Sequence, residues 1–151
     1  MTSVTFRRAH VDDVPAIVSL FLDDPHGTGR DLDSRSPESF RQAFEALETD
    51  PNNLIVVADD EGRVVGSMQI TFVANLRFEG GRRALIEAVR VAGSHQGQGL
   101  GRKFMQHAID LSKERGCTLV QLNSNRKRTE AIRFYEGLGF EPTHVGFELY
   151  P

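Results

Sequence analysis

One stretch constrains the fold more than any other, Ile86 to Lys103, which reads IEAVRVAGSHQGQGLGRK. Its first half alternates as a strand does, with Ile86, Ala88 and Arg90 expected on one face and Glu87, Val89 and Val91 on the other. Its second half places Gly97, Gly99 and Gly101 in a turn that opens a helix of apolar period. A strand feeding a glycine-rich turn and then a helix makes a phosphate site. The backbone N–H groups of a first helical turn have no partner within the helix, and the helix dipole adds partial positive charge there. Glycine lets a ligand approach that backbone without a Cβ in the way.

The rest of the chain supplies a sheet and helices around this core. Val4 and Phe6 alternate into a short opening strand. Asp12 reads as a helix N-cap, with Pro15 in the first turn and Val14, Ile17, Val18 and Phe21 at helical spacing. The segment Asp23 to Arg35, DDPHGTGRDLDSR, has no period and reads as a solvated loop or a mobile substrate-contacting one. Ser36-Pro37-Glu38 starts a second helix with Phe40, Ala43, Phe44 and Leu47 as its stripe, and Pro51 follows its end. Leu54–Ala58 and Val64–Val73 form two strands joined at Asp60-Glu61-Gly62, with Gly66, Met68, Ile70 and Phe72 on one face.

Residues 74–83 connect into the strand Ala84–Val91. Their arginines Arg77, Arg82 and Arg83 form either a solvated face or an attractor of anions. Beyond the glycine turn, Leu100, Phe104, Ala108 and Leu111 mark a helix that stops near Arg115-Gly116. Leu119–Asn123 is a strand, SNRKR a connector, and Ala131, Phe134, Tyr135 and Leu138 mark a last helix ended by Gly139. Val145, Phe147 and Leu149 alternate into an expected closing strand. The order β-α-α-β-β-β-α-β-α-β describes an α/β fold, a mixed central sheet with helices on both faces.

Composition narrows what such a domain does. The 151 residues suit one domain, 1–151, with a real hydrophobic core. The 18 Lys+Arg against 21 Asp+Glu give a net charge of −3, with no footprint for nucleic acid. A single cysteine, Cys117, rules out an internal disulfide framework and fits a reducing, cytoplasmic setting. The opening MTSVTFRRAH lacks the apolar run of a signal peptide, and no stretch nears the ~18 apolar residues of a membrane span.

These landmarks together resemble the GNAT superfamily of N-acetyltransferases. Gln96-Gly97-Gln98-Gly99-Leu100-Gly101 matches its Arg/Gln-x-x-Gly-x-Gly/Ala signature, IEAVRV its preceding strand, and AIRFYEGLGF its closing helix and turn. The element order extends the likeness over nearly the whole chain. The run NRKRTEAIRFYEGLGF is most similar to a subset of bacterial small-molecule acetyltransferases, including those acting on aminoalkylphosphonates. The resemblance implies a sheet splayed after its fourth strand, acetyl-CoA as cosubstrate, no metal, a small-molecule amine as acceptor, and homodimers among relatives. It also contains one departure. Many relatives carry asparagine three residues before the alanine of the closing helix, in contact with the cofactor arm, where Arg128 stands here; Arg128 is then a candidate for phosphate, and Asn123 and Asn125 are the nearby candidates for the asparagine contact.

The resemblance assigns roles as follows. Backbone amides from Gly97 through Arg102, including Gln98 and Leu100, suit the pyrophosphate, and Arg102 and Lys103 add charge. Val89, Arg90 and Val91 pair with the pantetheine arm as an added strand would. Glu87 resembles the family's general base, directly or through water; otherwise it is a structural carboxylate paired with an arginine. Tyr135 stands where relatives place a tyrosine near the thioester sulfur, although by itself it continues the stripe from Ala131 and suits a core.

Other candidates carry less chemistry. His95, His107 and His144 lack metal-ligand spacing, and Cys117 reads as a buried structural thiol. No Gly-Lys-Ser/Thr ends the turn as in a Walker loop, and the turn comes too late in the chain for a dinucleotide-binding fold. Two readings remain beside the small-amine enzyme: a non-catalytic acyl-CoA-binding sensor or partner subunit, and an acetyltransferase acting on a protein amine.

Overall fold

The computed structural model describes residues 3–23 and 35–151. It divides into two compact units, Met1–Gln121 and Leu122–Pro151. Among the described residues five strands lie in sequence order, β1 (Val4–Arg8), β2 (Asn53–Asp60), β3 (Arg63–Ala74), β4 (Arg82–Val91) and β5 (Cys117–Leu122). The first four pair antiparallel, and β5 runs parallel to β4. Among the described residues the α-helices are α1 (Val14–Leu22), α2 (Pro37–Glu48), α3 (Leu100–Glu114) and α4 (Thr129–Gly137). This is the mixed α/β architecture expected. Among the described residues no helix is long and apolar enough to cross a membrane.

The two faces of the sheet are covered by different helices. Val57 of β2 packs with Val14 and Ile17 of α1 and Phe44 of α2, and with Ala9, all buried. On the other face Phe104 of α3 is fully buried and stacks on Phe6 of β1 at 5.2 Å between ring centroids. Side chains alternate across a strand, so residues paired with Val57 face α1 and α2, and those paired with Ala58 face α3. Gly66 pairs with Ala58, and a Cβ there would lie 3.3 Å from the Phe104 ring.

Local chemistry explains most boundaries. The Ser36 hydroxyl accepts from the Ser39 amide at 3.2 Å and Pro37 opens α2, as the sequence predicts. Glu61 and Gly62 both take positive φ, 51° and 90°, in the two-residue turn between β2 and β3, a conformation matched to strand twist. Asp12 is not the cap of α1. A 3-10 turn, Val11–Asp13, precedes the helix, and the Asp13 carboxylate instead accepts from the His10 amide at 2.7 Å. The loop expected over Asp23–Arg35 lies, its two ends apart, outside the described residues.

The expected closing strand is not formed. Residues 140–151 contain no helix or strand, and Val145, Phe147 and Leu149 are exposed. Alternation makes a strand possible, but a strand needs a neighbour to take its amides and carbonyls. Thr143 N–H, for one, is turned to a local partner, the Glu141 carbonyl at 2.9 Å. Arg82, one of the three arginines of residues 74–83 and the first residue of β4, is structural: it donates to Asn52 at 2.7 Å and lies over the Phe72 ring beside Arg115.

One guanidinium ties the first strand to its surroundings. Arg7 binds both oxygens of Asp13 at 2.8 and 2.9 Å and Asp59 at 2.8 Å. Hydrogen bonds from Arg7 hold both carboxyls below the usual aspartate range, with the His10 and Gly62 amides helping. A depressed native pKa means the unfolded chain protonates first. The stabilisation is therefore complete above the unfolded value of about 3.9 and is lost as pH falls below it. Arg7→Met should cost roughly 1–3 kcal/mol at pH 7, leaving two carboxylates without their cation. Urea titrations at pH 7 and pH 3 check this: the gap between wild type and variant should shrink in acid, and a constant gap overturns the assignment.

Candidate functional site

The strand β4 carries a break that its sequence pattern does not announce. Ile70 pairs with Ile86 and Gln69 with Glu87, but Ser67 then pairs with Arg90. Met68 thus faces two residues, Ala88 and Val89, which is a β-bulge. Ala88 takes φ +53°, in the left-handed region that a residue with a Cβ rarely occupies. The extra residue reverses the parity of everything after it. Strict alternation would set Arg90 beside Ile86; instead Arg90 shares the α1 face with Glu87, and Val91 returns to the α3 face with Ile86.

Glu87 and Ala88 are exposed, while Val89, Arg90 and Val91 are half-buried. Arg90 is oriented by its own neighbours: it donates to the Val89 carbonyl at 2.9 Å, and its guanidinium lies 5.9 Å from the centre of the Phe21 ring of α1. A bulge leaves backbone groups outside the ladder, so the stretch beside Glu87 can bond to something other than β3.

From Val91 the chain enters the glycine turn. The Ala92 amide makes a last rung to Val65 at 2.8 Å, a 3-10 turn (Gly93–His95) follows, and Gly99 caps α3. Gly97 and Gly99 take φ +73° and +81°, and a Cβ on either would meet nothing within 4 Å. The glycines are therefore required by backbone conformation, and the space beside them is open to a ligand. Gln96 and Gln98 turn inward on the loop, donating to the Val91 and Ser94 carbonyls at 3.0 Å each. Leu100 is buried and Gly101 half-buried, whereas Arg102 and Lys103 are exposed beside the orphan amides of the first helical turn. Phe104, Met105 and Ala108, all fully buried, fix the helix behind them. A pyrophosphate fits this cradle of amides, open glycines and flanking cations.

The second unit holds the remaining candidates. Asn123 is exposed just after β5. Asn125 is committed to the connector, accepting from the Lys127 amide at 2.9 Å with its side chain and from the Arg128 amide with its carbonyl. Arg128 is the half-buried residue before α4. Tyr135 is half-buried, its ring edge-on to Phe134 and Phe140 at 5.2 and 6.0 Å. Phe134, expected to point to the core, is 37% exposed, and Ala131, Ile132, Tyr135 and Leu138 form the less exposed stripe instead. Cys117 is half-buried rather than buried, and partial burial raises its thiol pKa. The bulge at Ala88 and a contact between His95 and Asp60 were not foreseen; neither has a local sequence signal.

Comparison with known proteins bears on the family and the fold. Residues 14–140 match the model of the acetyltransferase (GNAT) family. The chain is 29% identical over 150 residues to a streptothricin acetyltransferase of Streptomyces lavendulae, covering 99% of this chain and 70% of that protein. It is 30% identical over 110 residues to an aminoalkylphosphonate N-acetyltransferase of Salmonella typhimurium, covering 73% and 71%. A solved structure described as a transcriptional regulator from Bacillus halodurans superposes with TM-score 0.91 at 38% identity, over 97% of this chain and 99% of that one. With the family matched over most of its length, the chain belongs to the GNAT family as an acetyl-CoA-dependent N-acetyltransferase.

Proposed function

We propose that residues 1–151 act as one domain that moves an acetyl group directly from acetyl-CoA to a primary amine of a small molecule, in the cytoplasm. One observation carries the reading: an exposed carboxylate, Glu87, stands at a bulge whose backbone leads without interruption into the open glycine turn. Acetyl-CoA supplies the acetyl group as an activated thioester. Amides of Gly97 to Arg102, with Gln96 holding the turn, bind its pyrophosphate, Arg128 meets a phosphate, and Asn123 takes the asparagine contact to its arm. Backbone groups of Val89, Arg90 and Val91 orient its arm. The two enzymes named above, each acting on a small amine, support a small acceptor over a protein one.

An ammonium cannot attack a carbonyl until it loses a proton. Glu87 takes that proton, directly or through one water, and its exposure allows an acceptor to reach it. At the other end of the reaction the thiol sulfur leaves with a basicity near that of a cysteine, pKa about 8.5. A phenol of ordinary pKa about 10 is protonated at neutral pH and can donate to that sulfur, the role given to Tyr135. Thiol release measured across amino acids, polyamines, aminoglycosides and aminophosphonates tests the reading as a whole. No release with any amine, despite acetyl-CoA binding, favours a non-catalytic binder.

Three variants test the parts. Gly99→Val adds a Cβ to the open side of the turn at a φ that valine resists, at a cost of order 1–3 kcal/mol. Calorimetry should find acetyl-CoA affinity largely lost while circular dichroism keeps the helix content; unchanged affinity sinks the cradle. Glu87→Gln should lower turnover by roughly 10²-fold with little change in acetyl-CoA affinity. Full activity from pH 6 to 9 would make Glu87 structural. Tyr135→Phe keeps the ring and its edge contacts with Phe134 and Phe140. Turnover should fall roughly 10-fold or more at near-native melting temperature. A large drop in melting temperature instead means that the hydroxyl holds structure.

A further inference from the structure

A chain of four side chains runs from the end of β2 into the middle of the glycine turn. His95 Nε2 lies 2.8 Å from Asp60 Oδ2, and its Nδ1 lies 2.8 Å from Ser94 Oγ. The Ser94 carbonyl in turn accepts from Gln98 Nε2 at 3.0 Å. Gln98 sits between Gly97 and Gly99, the two residues held at positive φ. The side chains of His95 and Asp60 are only 13% and 27% exposed, so water competes weakly for their contact. The clamps made by Gln96 and Gln98 close on residues of the same loop or of the strand it leaves. The contact to Asp60 is different, because it reaches across to the β2–β3 hairpin, whose own turn is locked by Glu61, Gly62 and the Asp59 carboxylate.

We propose that His95 is a positioning residue that braces the pyrophosphate turn against Asp60, so that the amides around Gly97 and Gly99 are aligned before acetyl-CoA arrives. The proposal rests on the reading of that turn as the cofactor cradle. Its physics is preorganisation. Two glycine hinges separated by one residue have more conformations to lose on binding than other residues, and that loss is subtracted from affinity. A brace outside the turn removes part of that freedom in the free protein. On that reading His95 belongs to the pyrophosphate turn, its ring bonded to Ser94 and Asp60, so the brace acts on cofactor binding and leaves the chemical step alone.

Three measurements on the full chain separate this role from plain stability. Wild type, His95→Ala, Asp60→Ala and the double variant are titrated with acetyl-CoA by calorimetry. Each single variant should bind roughly tenfold more weakly, the worth of one side-chain hydrogen bond, and the double variant no worse than either single one. Kinetics should find KM for acetyl-CoA raised in proportion with kcat unchanged at saturation. His95→Gln, whose Nε2 can still reach Asp60, should recover most of the affinity. Amide order parameters at Gly97 to Gly101 in the free protein should fall in His95→Ala and return in His95→Gln. Unchanged order parameters overturn the brace whatever the cofactor does. Affinity losses that simply add in the double variant, or that track melting temperature and are not rescued by glutamine, overturn it too. A wild-type protein that fails to bind acetyl-CoA, while its order parameters respond as expected, overturns the cradle assignment instead.

Discussion

The site depends on one backbone angle. Ala88 holds φ +53°, and a residue with a Cβ occupies that region only at a cost of order 1–3 kcal/mol. The surrounding ladders enforce it. Ile70 with Ile86 and Gln69 with Glu87 fix the strand on one side, and Ser67 with Arg90 and Gly66 with Val91 fix it on the other. The register on each side admits one residue too many, and the surplus is expelled at Ala88. That expulsion turns Arg90 onto the α1 face, the side that the exposed Glu87 already occupies, and takes backbone beside Glu87 out of the ladder with β3. A strand without the bulge would present a closed ladder at this point, with no free peptide groups beside the carboxylate.

What lies immediately behind the bulge is rigid. Gly66 is the point where three elements converge: a Cβ there would stand 3.2 Å from the Ala58 Cβ, 3.2 Å from the Arg90 carbonyl and 3.3 Å from the Phe104 ring. Removing a side chain at one position lets β2, β4 and α3 approach together. α3 is held so closely by Phe104, Met105 and Ala108 that its N-terminus has little freedom, and the direction of its first-turn amides is set by packing. Arg7, one residue along from Phe6, performs a comparable service on the opposite face of the sheet, where β1, the turn before α1 and the β2–β3 hairpin meet on one guanidinium.

Much of this was legible in the sequence, for reasons that differ by element. Helix starts with local chemistry read well: Ser36-Pro37 capped α2 as expected, and Gly116 and Gly139 end their helices at φ +78° and +99°. The glycine turn read well because the residues that need unusual φ are also the residues that permit it. The bulge did not, since IEAVRV alternates without fault and only the register of β3 against β4 reveals the extra residue. Asp12 misled because a cap is defined by where the 3-10 turn ends, which two adjacent aspartates leave open. The last segment misled for a general reason. Val145, Phe147 and Leu149 have strand periodicity, but a strand is a property of two segments, and one segment's pattern cannot supply its partner.

The same distinction separates the two halves of the site. Glycine conformations are local properties, encoded within Ile86–Lys103, while the direction of the first-turn amides follows from the packing of α3 on the sheet. The brace from His95 to Asp60 spans 35 positions and has no local signature, because nothing in either residue's neighbours specifies the other. Yet both ends are set by short-range rules. His95 closes the 3-10 turn Gly93–His95, whose last amide bonds back to the Ala92 carbonyl at 2.8 Å, and Asp60 precedes the two-residue turn at Glu61-Gly62. The long-range contact forms because two independently determined turns end at the same place. The cradle is therefore local chemistry held in alignment by topology, and its sequence signature records only the first of these.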